Sequence, residues 1–138
     1  MQRFISNSTE DTIELGKSLA ERLNGGTVVA FYGGLGMGKT AFTRGLAQAL
    51  CVKEEVSSPT FAIVNDYGGN PPLYHFDMYR ISSFDDLCST GFFDYLDTNA
   101  VLAIEWSENI ENAHPENDIR IEIEKGKKEE SRILKIRG

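Results

Sequence analysis

The sequence is poor in cysteine and in basic residues and has no long hydrophobic run, and each shortage excludes a class of protein. Cys51 and Cys88 are its 2 cysteines; without further thiols or a histidine cluster, neither a disulfide framework nor a zinc site is predicted. The 14 basic residues are outnumbered by 21 acidic residues, for a formal charge of −7, which argues against binding nucleic acid by overall phosphate neutralisation. The longest aliphatic or aromatic run covers only residues 28–32, so no signal peptide or membrane span is predicted, and a cytoplasmic protein is expected.

A linker rich in proline, glycine and serine is also missing, as is any internal repeat, and both absences favour one continuous folding unit. The 138 residues are 41% hydrophobic and 25% charged, as in ordinary soluble globular proteins. This length corresponds to about one domain of ~150 residues. We therefore expect a single domain over residues 1–138.

Apolar patterns predict alternating strands and helices. Residues 27–32 form a β-branched and aromatic run with little alternation, which is typical of a strand buried on both faces of a parallel sheet. Ser8, with Asp11 three residues later, has the pattern of a helix N-cap, and that helix is expected to end at residues 24–26. The other predicted elements are strands over 3–5, 61–67, 73–78 and 101–106, helices from Lys39 to Leu50 and from Ser82 or Ser83, and a C-terminal antiparallel pair over 119–123 and 133–136. The strands over 61–67 and 73–78 form a predicted hairpin. The chain as a whole is predicted to be an α/β fold with a mostly parallel central sheet and antiparallel C-terminal strands.

The segment after the buried strand satisfies the phosphate-loop pattern G-x-x-x-x-G-K-[ST], in the required context of strand, loop and helix. Its glycines let the backbone approach phosphate oxygens, and successive N–H groups at a helix N-terminus form an anion-binding nest. Lys39 is a point charge able to reach the β and γ phosphates, and the Thr40 hydroxyl can bind Mg²⁺. A glycine-rich turn that merely connects two elements would require neither side chain. The predicted nucleotide-binding residues here are Gly33, Gly34, Leu35, Gly36, Met37, Gly38, Lys39, Thr40 and Ala41.

Two carboxylates are candidates for the protein ligand of such a metal ion. Asp77 and Glu105 each follow an apolar strand, so both could emerge at the carboxyl edge of the sheet beside the loop. The alternative is that either acid is only a strand cap or a surface charge. Asp77 is also a candidate for positioning water or metal, and Lys39 and Thr60 complete the candidate catalytic set.

Residues 57–60 lie between the helix and the next strand, where nucleotide hydrolases carry a hydroxyl-bearing segment that senses the γ-phosphate. Because Ser-Pro is also a common turn signal, a plain loop is the alternative. His75 and His114 lack ligand spacing and are interpreted as structural. Trp106 is interpreted as either a core residue or a partner contact.

Several segments together resemble the TsaE family, P-loop ATPases needed for threonylcarbamoyladenosine modification of tRNA. The resemblance spans most of the chain, and its order and spacing are more specific than the phosphate loop alone. The matching segments are residues 33–40, Ser58-Pro59-Thr60-Phe61, Tyr74-His75-Phe76-Asp77-Met78-Tyr79-Arg80, Gly91 with Asp94-Tyr95, and Ile104-Glu105-Trp106.

The resemblance implies a P-loop NTPase-like three-layer sandwich that binds ATP and Mg²⁺ and assists a TsaB–TsaD complex, through which any contact with tRNA is indirect. Thr40 and Glu105 match the family's Mg²⁺ positions, and Asp77 matches its Walker-B-like aspartate. Thr9 matches a contact near the adenine, and Arg132 matches a Gly-Arg of the C-terminal hairpin, with Ser131 in place of the glycine. The family commonly has an acid where this chain has Gly34.

A slow ATPase gated by a partner is the leading functional hypothesis. Between residues 41 and 111 the only basic residues are Arg44, Lys53 and Arg80, and phosphoryl transfer without a charge-stabilising arginine is slow. The same scarcity argues against a small-metabolite kinase with an arginine-rich lid. None of the eight asparagines is followed by lysine, so the base-reading motif of a small GTPase is missing. A scaffold whose shape is set by bound ATP remains the fourth alternative.

Overall fold

The computed structural model describes residues 2–23, 25–32, 37–52, 64–69, 71–107, 109–110 and 118–138. Strands and helices alternate along this part of the chain. In order they are β1 (Gln2–Ser6), α1 (Thr9–Ala20), β2 (Val28–Tyr32), α2 (Met37–Ala49), β3 (Val64–Gly69), β4 (Pro72–Asp77), α3 (Phe84–Ser89), α4 (Phe92–Leu96), β5 (Val101–Glu105), β6 (Ile119–Lys125) and β7 (Arg132–Arg137).

The described strands form one seven-stranded sheet in the order β1-β7-β6-β2-β5-β4-β3. Its four central strands, β6, β2, β5 and β4, are mutually parallel. β3 pairs with β4, and β7 with both β6 and β1, in antiparallel register. The predicted α/β class, the β3–β4 hairpin and the antiparallel C-terminal pair are therefore confirmed. The pairing of β1 with β7 was not predicted, because nothing local in either strand specifies its partner.

Helices cover both faces of the sheet and produce the three predicted layers. Successive residues of β5 belong to different apolar clusters: Val101 and Ala103 pack with residues of α1 and α2, whereas Leu102 and Ile104 pack with residues of α3 and α4. Since successive side chains of a strand point to opposite faces, the two helix pairs lie on opposite sides of the sheet. β2 is buried on both faces, as its continuous apolar run predicts, and β5 is buried in the same way.

The helix starts follow the predicted capping residues, but α1 ends early. The hydroxyl of Ser8 accepts the N–H of Asp11 at 3.1 Å, and that of Ser83 accepts the N–H of Asp86 at 3.1 Å. α1 stops at Ala20 instead of at residues 24–26. The N–H groups of Arg22 and Leu23 bond three residues back, to Leu19 and Ala20, at 3.0 Å each, so the last turn tightens before Gly25 and Gly26 are reached.

Two further findings concern the state of the cysteines and the length of the helices. Cys51 and Cys88 are free cysteines, and both are exposed. In the described part of the chain no helix combines the length and the apolar character needed to cross a bilayer.

α1 and α2 cross at a pair of glycines. A Cβ on Gly16 would overlap the carbonyl oxygen of Phe42, and one on Gly45 would overlap that of Ile13. Any side chain at either position would force the helices apart, because backbone cannot rotate away as a flexible side chain can. The crossing sets where α2 lies on the sheet.

We expect Gly45→Ala to destabilise the fold by ~1–3 kcal/mol, as overpacking does in a closely packed interior. Helix propensity alone predicts instead that the substitution stabilises the fold, by up to about 1 kcal/mol. Urea unfolding followed by circular dichroism measures the difference. Gln48→Ala, at an exposed position of the same helix, is the matched control and is expected to be nearly neutral. A Gly45→Ala variant as stable as wild type would contradict the close crossing.

Candidate functional site

The carboxyl ends of three parallel strands meet at one edge of the sheet. Asp77 ends β4 and Glu105 ends β5, and the two residues are register partners. β2, on the other side of β5, leads from Tyr32 toward α2. This edge next to the start of a helix is where open α/β sheets bind ligands.

Both carboxylates lie on the face of the sheet that α2 covers. Register partners share a face, as do residues two apart in a strand. Asp77, Glu105 and Ala103 are related in this way, and Ala103 belongs to the apolar cluster that contains Phe42 of α2. The acids therefore extend the same row of side chains toward the first turn of that helix.

The first turn of α2 places the described part of the phosphate-loop motif at this edge. Gly38 packs on β6: a Cβ there would come within 2.7 Å of Cγ2 of Ile123, so packing disfavours a side chain at this position. Lys39 is only 1% exposed, and its Nζ lies 5.3 Å from the centroid of the Trp106 ring. Thr40 is half-buried.

Hydrogen bonds fix both carboxylates. The Nε2 of His75 is 2.8 Å from Oε2 of Glu105, in a buried pair. The Oδ1 of Asp77 accepts the backbone N–H of Tyr79 at 2.9 Å. Each bond engages one oxygen of its carboxylate, so the other oxygen of each keeps both of its lone pairs for a ligand.

Trp106 has a strained backbone at this same edge. Its φ of 60° is in the left-handed region, unusual for a residue with a side chain. The ring contacts both Lys39 and Tyr79, and the centroid of the Tyr79 ring is 4.9 Å away. Trp106 is half-buried and also packs against the apolar cluster that contains Leu102 and Ile104, which agrees with the predicted core alternative, whereas the partner contact stays a prediction. Non-glycine residues held in this conformation concentrate at functional sites.

A cavity of about 350 Å³ lies between the starts of α1 and α2 and the β6–β7 hairpin. Four of the predicted residues line it, namely Thr9, Gly38, Ala41 and Arg132; Ser8, Thr12, Glu129 and Glu130, which sequence reasoning missed, also line it. The start of α1 and the β6–β7 hairpin are far apart in the sequence. The pairing of β1 with β7 brings them together, because Ser6, just before α1, is the register partner of Arg132. Both helices thus direct their N-termini, with their partial positive charge, toward one cavity.

Arg132 is held in place by its own hairpin. Its Nη1 donates to the carbonyl oxygens of Glu129 and Ser131, each at 2.8 Å. The Ser131 hydroxyl, at the position where the resemblance implies a glycine, donates to the carbonyl of Lys128 at 2.9 Å. The serine therefore closes the hairpin turn and leaves the arginine beside the cavity.

Several predicted residues lie outside the described part of the chain. They are Gly33, Gly34, Leu35, Gly36, Thr60 with the rest of residues 57–61, and His114; of Met37 only the backbone is described. In the described residues Lys39 lies against Trp106, which follows Glu105, the register partner of Asp77; Thr40 is next to Lys39 in α2, and Thr9, Gly38, Ala41 and Arg132 line one cavity.

A known family matches almost the whole chain. The family model described as "Threonylcarbamoyl adenosine biosynthesis protein TsaE" matches residues 6–134. Proteins named tRNA threonylcarbamoyladenosine biosynthesis protein TsaE are similar to it. The one from Treponema pallidum is 37% identical over 121 residues, which cover 88% of this chain and 90% of the relative. The one from Aquifex aeolicus is 39% identical over 127 residues, which cover 90% and 87%.

A solved structure has the same fold. The crystal structure of YdiB from Bacillus subtilis aligns with a TM-score of 0.75 and 29% sequence identity. The alignment covers 96% of this chain and 82% of that one. The likeness therefore extends over the whole sheet and both helix layers.

Proposed function

This chain belongs to the TsaE family of tRNA threonylcarbamoyladenosine biosynthesis proteins, and from that premise we propose that it binds ATP with Mg²⁺ and hydrolyses it slowly under the control of a TsaB–TsaD complex. The observation that carries the proposal is the convergence at one sheet edge. The helix turn with Lys39 and Thr40 lies on the same face as the strand-end carboxylates Asp77 and Glu105.

The polyphosphate of ATP suits the start of α2. Backbone N–H groups of a first helical turn have no partners within the helix, and they attract anions together with the helix dipole. The ammonium group of Lys39 adds a full positive charge close to this turn. The contact between Lys39 and Trp106 provides a fluorescence assay for binding. A ligand that engages Lys39 changes the surroundings of the chain's 1 tryptophan.

The residues at the edge fit Mg²⁺ by the chemistry of their donors. Among the described residues, no cluster of three or more His, Cys, Asp and Glu side chains could hold a metal by itself. Mg²⁺ instead usually binds through one or two carboxylates, substrate phosphates and water. We assign Thr40 and Glu105 to hold it, and Asp77, as the register partner of Glu105, brings a second negative charge that a cation would offset. When bound, the ion would neutralise charge on the β and γ phosphates.

Slow turnover by the isolated chain follows from the charges near the site. Arg80 is exposed, and Arg44 and Lys53 are the only other basic residues between 41 and 111. Charge on a transferring phosphoryl group is commonly stabilised by an arginine worth ~10³–10⁵ in rate, which a partner protein can supply. A partner that completes the site would thus control hydrolysis.

The cavity beside Arg132 is proposed to receive the adenosine end of the nucleotide. We expect Arg132→Ala to weaken ATP binding by ~1 kcal/mol, about fivefold, the usual value of one hydrogen bond. Binding of inorganic triphosphate, which has no adenosine, should stay unchanged. Lys128→Ala, on an exposed residue of the same hairpin, is the matched control in tryptophan-fluorescence titrations. Equal losses of affinity for ATP and for triphosphate would instead indicate that Arg132 contacts the phosphates.

The proposal is tested by a pull-down with purified TsaB and TsaD, with ATP hydrolysis followed in the same mixture. We expect capture that depends on ATP and Mg²⁺, and hydrolysis that rises when both partners are present. Hydrolysis by the isolated chain at rates of ~1–100 per second, as in kinases, would contradict control by a partner.

A further inference from the structure

We infer that His75 is a positioning residue that orients the carboxylate of Glu105 toward a metal ion. The inference rests on the proposed function, since it concerns the site assigned to Mg²⁺. The His75 side chain is 0% exposed and that of Glu105 is 8% exposed. Their 2.8 Å contact joins residues 30 positions apart in the sequence, through neighbouring strands.

The chemistry of the pair fixes the direction of the hydrogen bond. A carboxylate that binds a metal ion is ionised and can only accept, so the inference assigns the Nε2–H tautomer to His75, which then donates to Oε2 of Glu105. Such a charge-assisted bond is stronger than a neutral one and restricts rotation of the carboxylate. The engaged oxygen is Oε2, so Oε1 keeps both of its lone pairs for a cation.

The sheet provides the space for this contact. The register partner of His75 on β5 is Ala103, and Glu105 follows two residues later on the same face. The small side chain of Ala103 leaves the imidazole free to reach diagonally along the neighbouring strand, a distance that long side chains span. Tyr67 packs on the other side, with its ring centroid 6.2 Å from that of the imidazole.

Stability alone does not account for a polar pair in this position. Burying charged or polar partners costs desolvation, and replacing such pairs by apolar residues is often neutral or stabilising. Residues that hydrogen-bond a metal ligand have a different role, because they fix its orientation, and their loss typically lowers metal affinity 10- to 100-fold. His75, buried next to the sheet edge and bonded to the candidate ligand, has the placement of such a residue.

The test compares His75→Phe, which retains a ring without a donor, with His75→Gln, whose amide nitrogen can donate at similar reach. Calorimetric Mg²⁺ titrations of the ATP-bound protein give metal affinity, and ATP binding in EDTA gives the metal-free affinity. We expect His75→Phe to weaken Mg²⁺ binding ~10- to 100-fold, with metal-free ATP binding within about twofold of wild type, and His75→Gln to regain most of the loss. Tyr67→Phe, which alters the neighbouring ring but not the His75–Glu105 bond, should bind Mg²⁺ like wild type.

Folding of each variant is checked by its circular dichroism spectrum and melting temperature. If His75→Phe does not fold, His75→Asn replaces it, since its shorter amide cannot reach Glu105 as glutamine can. Wild-type Mg²⁺ affinity in the folded variant without a donor, or equal losses in both members of the pair, would overturn the inference while leaving the proposed function intact. Absence of Mg²⁺ binding by the wild-type protein with ATP would instead overturn the proposed function itself.

Discussion

Asp77→Asn is expected to lower ATP hydrolysis in the presence of TsaB and TsaD by ~10²- to 10⁴-fold, the usual contribution of a group that accepts or positions a proton. Affinity for ATP should stay within about threefold of wild type. The substitution removes the negative charge and the basicity of one oxygen but leaves the size of the side chain unchanged. Single-turnover hydrolysis and fluorescence titration of the same variant measure the two quantities separately.

The local geometry makes this variant a clean one. Oδ1 of Asp77 accepts the N–H of Tyr79 at 2.9 Å, and the amide oxygen of asparagine can accept the same bond. The turn after β4 should therefore persist, so that a loss of hydrolysis reflects the other oxygen. Asp77 is the register partner of Glu105, so its carboxylate lies next to the assigned metal ligand.

Asp66→Asn is the matched control for this prediction. Asp66 also accepts, through Oδ1, the N–H two residues ahead, that of Gly68 at 3.0 Å, but it lies on β3 away from the carboxyl edge. It should hydrolyse ATP like wild type. If Asp77→Asn stops hydrolysis while ATP binding and tRNA modification continue normally, the protein is an ATP-dependent scaffold and turnover is incidental.

Lys39→Ala is expected to weaken binding of the triphosphate by ~1.5–3 kcal/mol, about 10- to 150-fold, the value of a hydrogen bond to a charged group. The loss should be larger for ATP than for AMP, because Lys39 is assigned to the terminal phosphates. Calorimetry with each nucleotide measures the difference. Unchanged ATP affinity in the folded variant would remove Lys39 from the site.

Lys39→Met separates charge from packing. The Lys39 side chain is buried against Trp106, so alanine removes apolar contact as well as charge. Methionine restores most of the unbranched stem. We expect its melting temperature to be closer to wild type than that of Lys39→Ala, with an equally large loss of ATP affinity. Recovery of ATP binding in Lys39→Met would show that packing, and not charge, explains the alanine result.

Local signals predicted most of the fold. The apolar run of β2, the hydroxyl of Ser8 three residues before Asp11, and the alternation in β6 and β7 each specify an element from its own residues. The early end of α1 escaped prediction because it depends on a tightened last turn rather than on the glycines that follow. The partner of β1 escaped because strand pairing across the whole chain has no local sequence signal.

The residues of the site likewise divide into those with a local sequence signal and those without one. The phosphate-loop pattern predicts Lys39 and Thr40 as site residues, and the strand-end acids predict Asp77 and Glu105. Spacing had favoured a structural role for His75, because its partner Glu105 is 30 residues away and only the β4–β5 register brings them together. The positive φ of Trp106 has no sequence signal at all. Thr9 and Arg132 were identified only through the family resemblance, since the β1–β7 pairing that joins their segments was unknown.

Calorimetric titration of the folded wild-type chain with ATP, with and without Mg²⁺, tests the central claim most directly. The start of α2 and the adjoining sheet edge should bind one ATP per chain, more tightly with Mg²⁺ than in EDTA, and much more tightly than adenosine. No heat of binding at millimolar ATP and Mg²⁺, from protein whose circular dichroism shows the α/β fold, would contradict it.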